Sequence, residues 1–547
     1  MSEIDVSEKT AAMTCAQGDV LFAGLEKALD NGRGFVFVTD AAGKLAGYAD
    51  LAMMREAFMK GGHLSGQTVG DVAAPWGTAK ETLGVEPVLD GEGRLSGIDE
   101  SGPQPFLPVS EPDLTHREMR NAFDAFLSTW ISSTGDYIRR FEQEFADKMG
   151  MAHGVATSNG TVSLHLAMAT LGIGEGDEVI VPDLTFAASI NTVMHVGARP
   201  VLVDVDRDTW CLSAEAVERA ITPRTRAIMP VHVFGRPSQM TEIVELAQAR
   251  GLYIIEDCAE AHGAKYDGQP IGSFSDISSF SFFANKIITT GEGGICLTND
   301  ADIATRMRML RDHGMRPERR YWHEEPGFNF RMTNMQAAIG CAQIERMDEL
   351  LAMRADVYDR YVKALSGIPG VSFPPAMDQR AQPVTWFACA QVPEDKRADL
   401  IAACKAANID LRPFFHGLSS MPAYRQYARK CPNSTWLSRT GVNLPTSRRV
   451  DDAMVARIAD VFESATRYYG KPEWGIESVK INSAPVGVTP TVAWKSPWCN
   501  LVHFRKDPDA LAFARKPGAS PLPRMLIVAP LSGHYATLLR GTVEGFL

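Results

Sequence analysis

The chain contains 547 residues, of which 45% are hydrophobic and 22% are charged, as in globular proteins with enough apolar material for a core. A chain of this length is expected to fold as about two to four units. The formal net charge of −11 argues against a general nucleic-acid-binding surface. No apolar run of membrane-spanning length is visible, and the opening residues MSEIDVSEKT lack the basic start and apolar core of a signal peptide.

The cysteines are scattered along the chain and include no C-x-x-C pair. Their number is odd: the nine are Cys15, Cys211, Cys258, Cys296, Cys341, Cys389, Cys404, Cys431 and Cys499. This distribution predicts reduced, mostly buried thiols in a cytoplasmic protein rather than a disulfide framework. No metal site is predicted.

The first hundred or so residues contain an internal repeat. The run from Val38 to Gly47 returns as the run from Val88 to Gly97, and each copy reads as a strand, a D-x-x-G turn and a second strand. This pattern predicts two hairpins. The first copy, with the helical stretch after it, resembles a CBS module, and the second copy looks truncated. Such modules often bind adenosine nucleotides through a Thr and an Asp, but Asp50 and Met53 stand near those places, which favours a packing or oligomerisation role.

A polar, proline-rich stretch at residues 101–107 predicts a linker between this module, residues 1–100, and a larger domain, residues 108–472. In the larger domain, short β-branched runs at 178–181, 200–203 and 253–255 alternate with helical stretches. Two of the predicted helices are residues 161–171 and 240–250. The alternation predicts an α/β fold whose parallel sheet is wrapped by helices and binds ligands at the carboxyl ends of its strands.

Three loops in this domain carry residues suited to an anionic cofactor. The stretch from Thr157 to Thr161 lies between an apolar run and a helix, so its N–H groups and hydroxyls can receive a phosphate. Asp257 ends a predicted strand, where a carboxylate can hold a protonated ring nitrogen. Ser281 adds a hydroxyl five residues before Lys286. Taken singly, a helix cap, a strand-end acid and a strand serine explain these residues better than a cofactor site does.

Lys286 lies between the aromatic run that ends at Phe283 and a glycine-rich turn at 291–294. An amine held against apolar surface is destabilised as a cation, so it becomes a nucleophile toward carbonyl groups. The alternative is a solvated surface lysine. The order of phosphate loop, acid and serine–lysine pair favours the catalytic interpretation.

Residues 108–470 resemble the DegT/DnrJ/EryC1/StrS family of sugar aminotransferases, which are pyridoxal-phosphate enzymes of fold type I with a smaller C-terminal α+β subdomain. The motifs that carry the resemblance are W-I-S-S-T-G at 130–135, S-N-G-T at 158–161, P-D-L-T-F at 182–186, E-D-C-A-E-A-H-G at 256–263, S-F-F-A-N-K-I-I-T-T-G-E-G-G at 281–294, Y-W-H at 321–323, G-F-N-F-R-M-T-N-M-Q-A-A-I-G at 327–340 and R-P-F-F-H at 412–416. Within the family, the motifs most resemble enzymes that aminate C4 of GDP-4-keto-6-deoxymannose.

The resemblance implies a role for each matching residue. Lys286 would hold pyridoxal 5′-phosphate covalently and move the proton during transfer, and Asp257 would pair with the ring nitrogen. The other implied cofactor contacts are Phe186 on the ring face, Glu260 near the phenolic oxygen, and Gly160, Thr161 and Ser281 at the phosphate. Asn329 would reach the phosphate from a partner subunit, so a homodimer with shared sites is expected. His323 and His416 are candidates for contacts with the sugar nucleotide, although either could be a structural histidine.

The implied activity is transfer of an amino group from glutamate to a nucleotide-linked 4-keto-6-deoxy sugar. The alternatives are the same reaction on a UDP- or dTDP-linked sugar, a sugar dehydratase on the same scaffold, and a non-catalytic cofactor-binding regulator. Dehydratase relatives replace the lysine with histidine, so Lys286 argues against the second alternative.

Residues 473–547 do not resemble that family. The runs at 498–504 and 525–542 resemble the beginning of an intracellular polyhydroxyalkanoate depolymerase, an α/β-hydrolase. Such hydrolases place their nucleophile, acid and histidine further along the chain than this sequence reaches. Ser532 and His534 are two residues apart and are not a triad, so we interpret the segment as catalytically inactive.

Overall fold

A computed structural model describes residues 10–61, 67–76, 85–99, 106–316, 318–466, 477–495 and 500–515. The chain divides into two compact units, residues 1–466 and 467–547. Across the described ranges, no helix combines the length and apolar character needed to cross a membrane.

The N-terminal segment forms the two hairpins that the sequence repeat predicts. In each turn an aspartate, Asp40 or Asp90, accepts backbone N–H groups two and four residues later through Oδ1. A bulge falls at the same place in both hairpins. The elements are β1 Thr14–Ala16, α1 Leu21–Asp30, β2 Phe35–Thr39, β3 Leu45–Asp50, α2 Leu51–Gly61, α3 Val69–Val72, β4 Glu86–Leu89 and β5 Leu95–Asp99. Strands β1 and β2 pair in parallel, β3 joins β2 antiparallel, and all five residues of β2 are buried.

The large domain is built on a seven-stranded sheet of order β6-β14-β13-β10-β9-β7-β8. Its strands are β6 His153–Thr157, β7 Glu178–Pro182, β8 Arg199–Val203, β9 Thr225–Ile228, β10 Tyr253–Asp257, β13 Ile277–Ser281 and β14 Gly294–Thr298, with the short β11 Lys265–Tyr266 and β12 Gln269–Pro270 outside it. The helices are α4 His116–Leu127, α5 Asp136–Lys148, α6 Gly160–Thr170, α7 Ala187–His195, α8 Ala214–Glu218, α9 Met240–Arg250, α10 Ala301–Arg311, α11 Asn334–Glu345 and α12 Met347–Leu365.

The predicted parallel pairing is found between β13 and β10, β10 and β9, β9 and β7, and β7 and β8, whereas β14 runs antiparallel to both β13 and β6. Residues 282–293 join β13 to β14 without a helix, which suits antiparallel neighbours, whereas parallel neighbours are usually joined by a helical crossover. That loop carries Lys286, so the reversal of direction places the lysine at the end of β13.

Apolar side chains alternate along the strands and form a core on each face of the sheet. In β7, Ile180 packs into one cluster while Val179 and Val181 pack into the other. Burial on both faces explains why these strands read as continuous apolar runs.

The chain then forms a smaller subdomain around Tyr361, Phe462 and their neighbours. Its elements are β15 Ala381–Gln382, which pairs with β11, and then β16 Ala388–Gln391, α13 Glu394–Ala406, β17 Arg412–Pro413, α14 Pro432–Thr440, β18 Gly441–Leu444 and α15 Asp452–Thr466. The eight cysteines that the structure describes are all free and buried, as predicted.

The second unit contains an antiparallel three-stranded sheet and one helix. These elements are β19 Ser478–Ile481, β20 Ala484–Lys495, β21 Asn500–Lys506 and α16 Pro508–Ala514. The hydrolase-like run at 525–542, with Ser532 and His534, lies outside the described residues, as do Cys499 and residues 101–105 of the expected linker.

Candidate active site

Lys286 lies in the loop between β13 and β14, and its side chain is 11% exposed. Its Nζ is 3.7 Å from Glu260 Oε1 and 4.0 Å from the centre of the Trp386 ring. The loop is held from outside, since Arg354 donates to Lys286 O at 3.2 Å and the Trp386 indole N–H donates to Asn285 O at 2.7 Å. The lysine is therefore fixed against an aromatic face, with the Glu260 carboxylate as its ion-pair partner.

Burial shifts the protonation of both members of the Lys286–Glu260 pair. Burial lowers the pKa of Lys286, and the nearby carboxylates of Glu260 and Asp257 oppose that shift. Burial raises the pKa of Glu260 to about 7, opposed mainly by the charge of Lys286. Burial thus disfavours the charged form of each group, and a lysine with a lowered pKa suits an amine that must act as a nucleophile.

The second oxygen of Glu260 accepts a hydrogen bond from the backbone N–H of Phe234 at 2.8 Å. Phe234 adopts a left-handed conformation with φ of 54°, which is unfavourable for a bulky side chain. The next residue, Gly235, also has positive φ, and a Cβ there would clash with Val384 O. The strained turn therefore positions an N–H group for Glu260 at the site.

Asp257 ends β10, as the sequence predicts, and is 5% exposed. Ser189 Oγ donates to its Oδ2 at 2.8 Å, and the N–H of Ala259 donates to its Oδ1 at 3.2 Å. Burial raises the pKa of Asp257, while Ser189, Lys286 and His232 favour the charged form. A buried carboxylate of this kind is stabilised by a cationic partner such as a protonated ring nitrogen.

The expected phosphate-binding corner is assembled at the start of α6. Asn159 caps this helix by accepting from the Val162 N–H at 3.0 Å, and Gly160 and Thr161 form its first turn. A Cβ on Gly160 would lie 2.6 Å from Ser281 Cβ, so only glycine fits there. The structure thus brings Gly160, Thr161 and Ser281 together at a helix N-terminus, where anions are favoured.

The ring of Phe186 is 58% exposed although it follows the buried strand β7. Its nearest aromatic neighbour is Phe415, with ring centres 5.9 Å apart. His416 is the next residue after Phe415 and is exposed. The Phe415 ring in turn lies 6.4 Å from the ring of Trp386, which contacts Lys286. The exposed ring of Phe186 is therefore available for stacking on a planar ligand.

Asn329 and His323 lie on an exposed segment, residues 312–331. The neighbouring Phe330 O accepts from the Ser158 N–H at 2.8 Å, so the segment passes its own phosphate-binding corner. His323 Nδ1 is 2.9 Å from His313 O. Among the described residues of one chain, no hydrogen bond joins Asn329 or His323 to the group around Lys286.

Sequence reasoning missed four residues that build this site: Ser189, His232, Arg354 and Trp386. His232 is buried, accepts from the Ser238 N–H through Nδ1 at 3.0 Å, and so directs its Nε2 proton to Glu256, 3.2 Å away. These residues come from different elements, and only the position of Ser189 in the helix after the P-D-L-T-F run gave a usable signal.

The residues present fit pyridoxal phosphate. A buried acid suits a protonated ring nitrogen, and an exposed aromatic ring can stack on a planar ring. A helix N-terminus with a close-packed glycine suits a phosphate, and a lysine of lowered pKa suits an aldehyde. Lys286, Asp257, Phe186, Gly160 and Ser281 supply these features. The fold and this site together define a pyridoxal-phosphate-dependent sugar aminotransferase.

The chain belongs to the DegT/DnrJ/EryC1/StrS aminotransferase family, which matches residues 112–463. It is 41% identical over 366 residues to the GDP-perosamine synthase of Escherichia coli O157:H7, covering 66% of this chain and 99% of that protein. It is 45% identical over 360 residues to the GDP-perosamine synthase of Caulobacter vibrioides, covering 65% and 96%. Among solved structures it resembles DesV of S. venezuelae, captured with a ketimine intermediate, with a TM-score of 0.62 and 34% identity over 65% of this chain and 95% of that one.

Proposed function

We propose that this enzyme transfers the amino group of glutamate to C4 of GDP-4-keto-6-deoxymannose and so forms GDP-perosamine, a sugar of O-antigen and lipopolysaccharide. The observation that carries the proposal is the similarity to GDP-perosamine synthases along almost the whole of their length, 96–99%. A third such synthase, from Vibrio cholerae, is 39% identical over 99% of its length. Glu260 supports the same substrate, because enzymes of this type often carry glutamate where other family members have glutamine.

The cofactor supplies an aldehyde that carries the amino group and a ring that withdraws electrons from the reacting carbon. Lys286 Nζ takes the proton from the donor carbon and returns one to C4 of the acceptor sugar. Its lowered pKa, caused by burial, makes the neutral amine available for the first of these steps. Glu260, 3.7 Å away, stabilises the ammonium form that follows.

Asp257 holds the ring nitrogen in its protonated form, and Ser189 orients the carboxylate by its 2.8 Å hydrogen bond. Phe186 covers the ring face, while Gly160, Thr161 and Ser281 hold the phosphate at the start of α6. His323 and His416 contact the sugar nucleotide. Both histidines are exposed, which leaves them accessible to a large substrate.

The working enzyme in this proposal is a homodimer in which Asn329 serves the phosphate of the partner's site. Support comes from exposed large apolar side chains of the large domain, among them Phe126, Leu127, Trp130, Ile131, Phe283, Tyr321 and Trp322. Two of them, Tyr321 and Trp322, lie on the segment that carries Asn329. Exposed apolar groups of this kind mark an interaction surface, and a second copy is the simplest partner.

The proposed domain organisation is a CBS-like packing module at 1–100, a linker at 101–107, the aminotransferase domain at 108–472 and a hydrolase-like segment at 473–547. The arrangement of β1, α1, β2, β3 and α2 supports the first assignment, since a helix follows each of the outer strands. Cytoplasmic location is proposed from the free, buried cysteines that the structure describes.

The test is product identification by mass spectrometry with glutamate and a panel of GDP-, UDP- and dTDP-linked 4-keto-6-deoxy sugars. We expect a 4-amino product with the GDP-linked sugar at the highest kcat/KM. A higher kcat/KM with a UDP- or dTDP-linked sugar would show that the proposed substrate is wrong and that the proposed reaction, transamination, is right. A deoxygenated product without nitrogen would instead indicate a dehydratase.

A further inference from the structure

Hydrogen bonds of Thr289 hold together the two ends of the loop that carries Lys286. The Thr289 hydroxyl donates to Phe282 O at 2.9 Å, at the start of the loop, and accepts from the Gly291 N–H at 2.9 Å. The Thr290 N–H also donates to Phe282 O, at 3.0 Å. The position of Thr289 therefore sets the position of the loop, and with it the lysine three residues earlier.

Gln343, on α11, anchors Thr289 from outside the loop. Its Oε1 accepts from the Thr289 N–H at 3.1 Å, and the Gln343 side chain is almost completely buried. Its Nε2 donates to Glu118 Oε1 and to Asp113 O, both at 2.8 Å. Every polar atom of this amide is thus used, and it links the lysine loop to α4.

The two carboxylate oxygens of Glu118 accept hydrogen bonds from different partners. Its Oε2 accepts from the N–H and the hydroxyl of Thr115, both at 2.7 Å, and so caps α4. Its Oε1 accepts from Gln343 and, at 3.0 Å, from the buried Arg346. A shift of α4 therefore moves the acceptor on which Gln343 depends.

The N-terminal segment packs on the same helix. Phe123 of α4 lies between Phe22 of α1 and Phe58 of α2, with ring centres 6.1 and 5.9 Å away. Two ion pairs flank this contact: Arg120 Nε donates to Glu26 at 2.7 Å, and His116 lies 2.8 Å from Asp30. The ion pairs are partly exposed and contribute little alone, so the aromatic contact is the main attachment.

We propose that Gln343 is a positioning residue for the catalytic lysine and that the N-terminal segment, docked on α4, holds Gln343 in place through Glu118. The inference rests on the proposed role of Lys286 and gives the N-terminal segment a part in transamination. The segment acts as an activator built into the chain, because it stabilises the one arrangement of α4 in which the network is complete.

The first test replaces Gln343 by leucine in the holoenzyme. Gln343→Leu removes the acceptor from a buried N–H, which costs about one buried hydrogen bond. We expect kcat to fall about tenfold, equivalent to about 1.4 kcal/mol, with KM for glutamate almost unchanged. Amide hydrogen exchange of residues 282–291 should rise. Exchange is read without any sugar substrate, so a wrong substrate assignment leaves this readout intact.

A swapped pair separates positioning from packing. Glu118→Gln with Gln343→Glu keeps the net charge, the hydrogen bond between positions 118 and 343 and the acceptor for the Thr289 N–H, and it loses the hydrogen bonds with Asp113 O and Arg346. It should therefore restore part of the loop protection that Gln343→Leu loses. Gln391→Leu, at a buried glutamine of the smaller subdomain, is the matched control and should leave residues 282–291 unchanged. Equal loop exchange in Gln343→Leu and in the control, at equal thermal stability, would overturn the positioning role.

The second test undocks the N-terminal segment without touching the aminotransferase domain. Phe22→Asp with Phe58→Asp places charges against Phe123, and limited proteolysis of the segment reports its release. We expect kcat to fall about threefold to tenfold and exchange of residues 282–291 to rise, with no further loss when Gln343→Leu is added. A released segment with unchanged kcat and unchanged loop exchange would refute the activator role.

Discussion

The Glu260 carboxyl gives a measurable signature of the site in the absence of cofactor and substrate. Glu260 is 4% exposed, and burial raises its pKa from 4.5 to about 7. In the unfolded chain the group titrates near its ordinary value, so between about pH 4.5 and 7 the folded protein binds more protons than the unfolded protein. The stabilising contribution of the protonated Glu260 carboxyl is therefore fully present below pH 4.5 and is lost as the pH rises through 7.

The perturbation is Glu260→Gln in the cofactor-free protein. The amide keeps the size of the side chain and can still accept from the Phe234 N–H, but it cannot titrate. The shift from 4.5 to about 7 corresponds to about 3 kcal/mol across the window, at about 1.4 kcal/mol for each pH unit. The Glu260 carboxylate raises the pKa of Lys286, so its loss lowers the pKa of Lys286 further in the variant. This change also increases the stability of the variant relative to the parent as the pH rises.

The assay is the midpoint of thermal unfolding at pH 5, 6, 7 and 8 for both proteins, with Glu215→Gln as the control on an exposed helix. We expect the variant to gain stability relative to the parent as the pH rises, by several degrees in total. The control difference should stay flat. A parent–variant difference that is independent of pH, or that changes in the opposite direction, would show that Glu260 is not held in a desolvated state.

Three further predictions follow from the site. Borohydride treatment of the holoenzyme should attach the cofactor irreversibly to Lys286, and peptide mapping should find no label in Lys286→Ala; a label on another lysine would refute its role. Gly160→Ala should weaken cofactor binding at least about tenfold by equilibrium dialysis, because the new Cβ would meet Ser281 at 2.6 Å; unchanged affinity would mean that the corner does not hold the phosphate. Inactive Lys286→Ala and Asn329→Glu chains should regain activity when mixed, after subunit exchange has been shown by native mass spectrometry, because one of the two shared sites is then free of lesions; no recovery would mean that Asn329 serves its own chain.

Local patterns were sufficient to predict much of the large domain. The strands at 178–182 and 253–257 and the helices at 160–170 and 240–250 were predictable because each carries a continuous apolar run or a helical period bounded by turn residues. Lys286 and Asp257 were predictable because each stands at the end of such a strand. The direction of the strands was harder to predict. Strand β14 pairs antiparallel with its neighbours, and the loop with glycines before it was the only sign of this in the sequence.

The supporting residues could not be predicted in the same way. Trp386 lies 100 residues after Lys286 and reaches it only because β15 and the following segment return to the large domain. His232 carries no motif, and its importance is visible only from its contact with Glu256. Ser189 follows the P-D-L-T-F run, but its hydrogen bond to Asp257 is visible only in the structure. Contacts between distant segments depend on tertiary packing, which composition and periodicity do not encode.

The stacking of the Lys286 amine on the Trp386 ring has a spectroscopic consequence. An indole 4.0 Å from the reactive nitrogen, buried and hydrogen-bonded at its own N–H, is a natural fluorophore placed at the point where the chromophore of the cofactor would attach. Energy transfer between such close partners is efficient, so emission from this tryptophan should be quenched when the lysine is occupied and return when it is released. The protein thereby carries an intrinsic optical reporter of each change at its lysine, readable in a stopped-flow instrument without any added label.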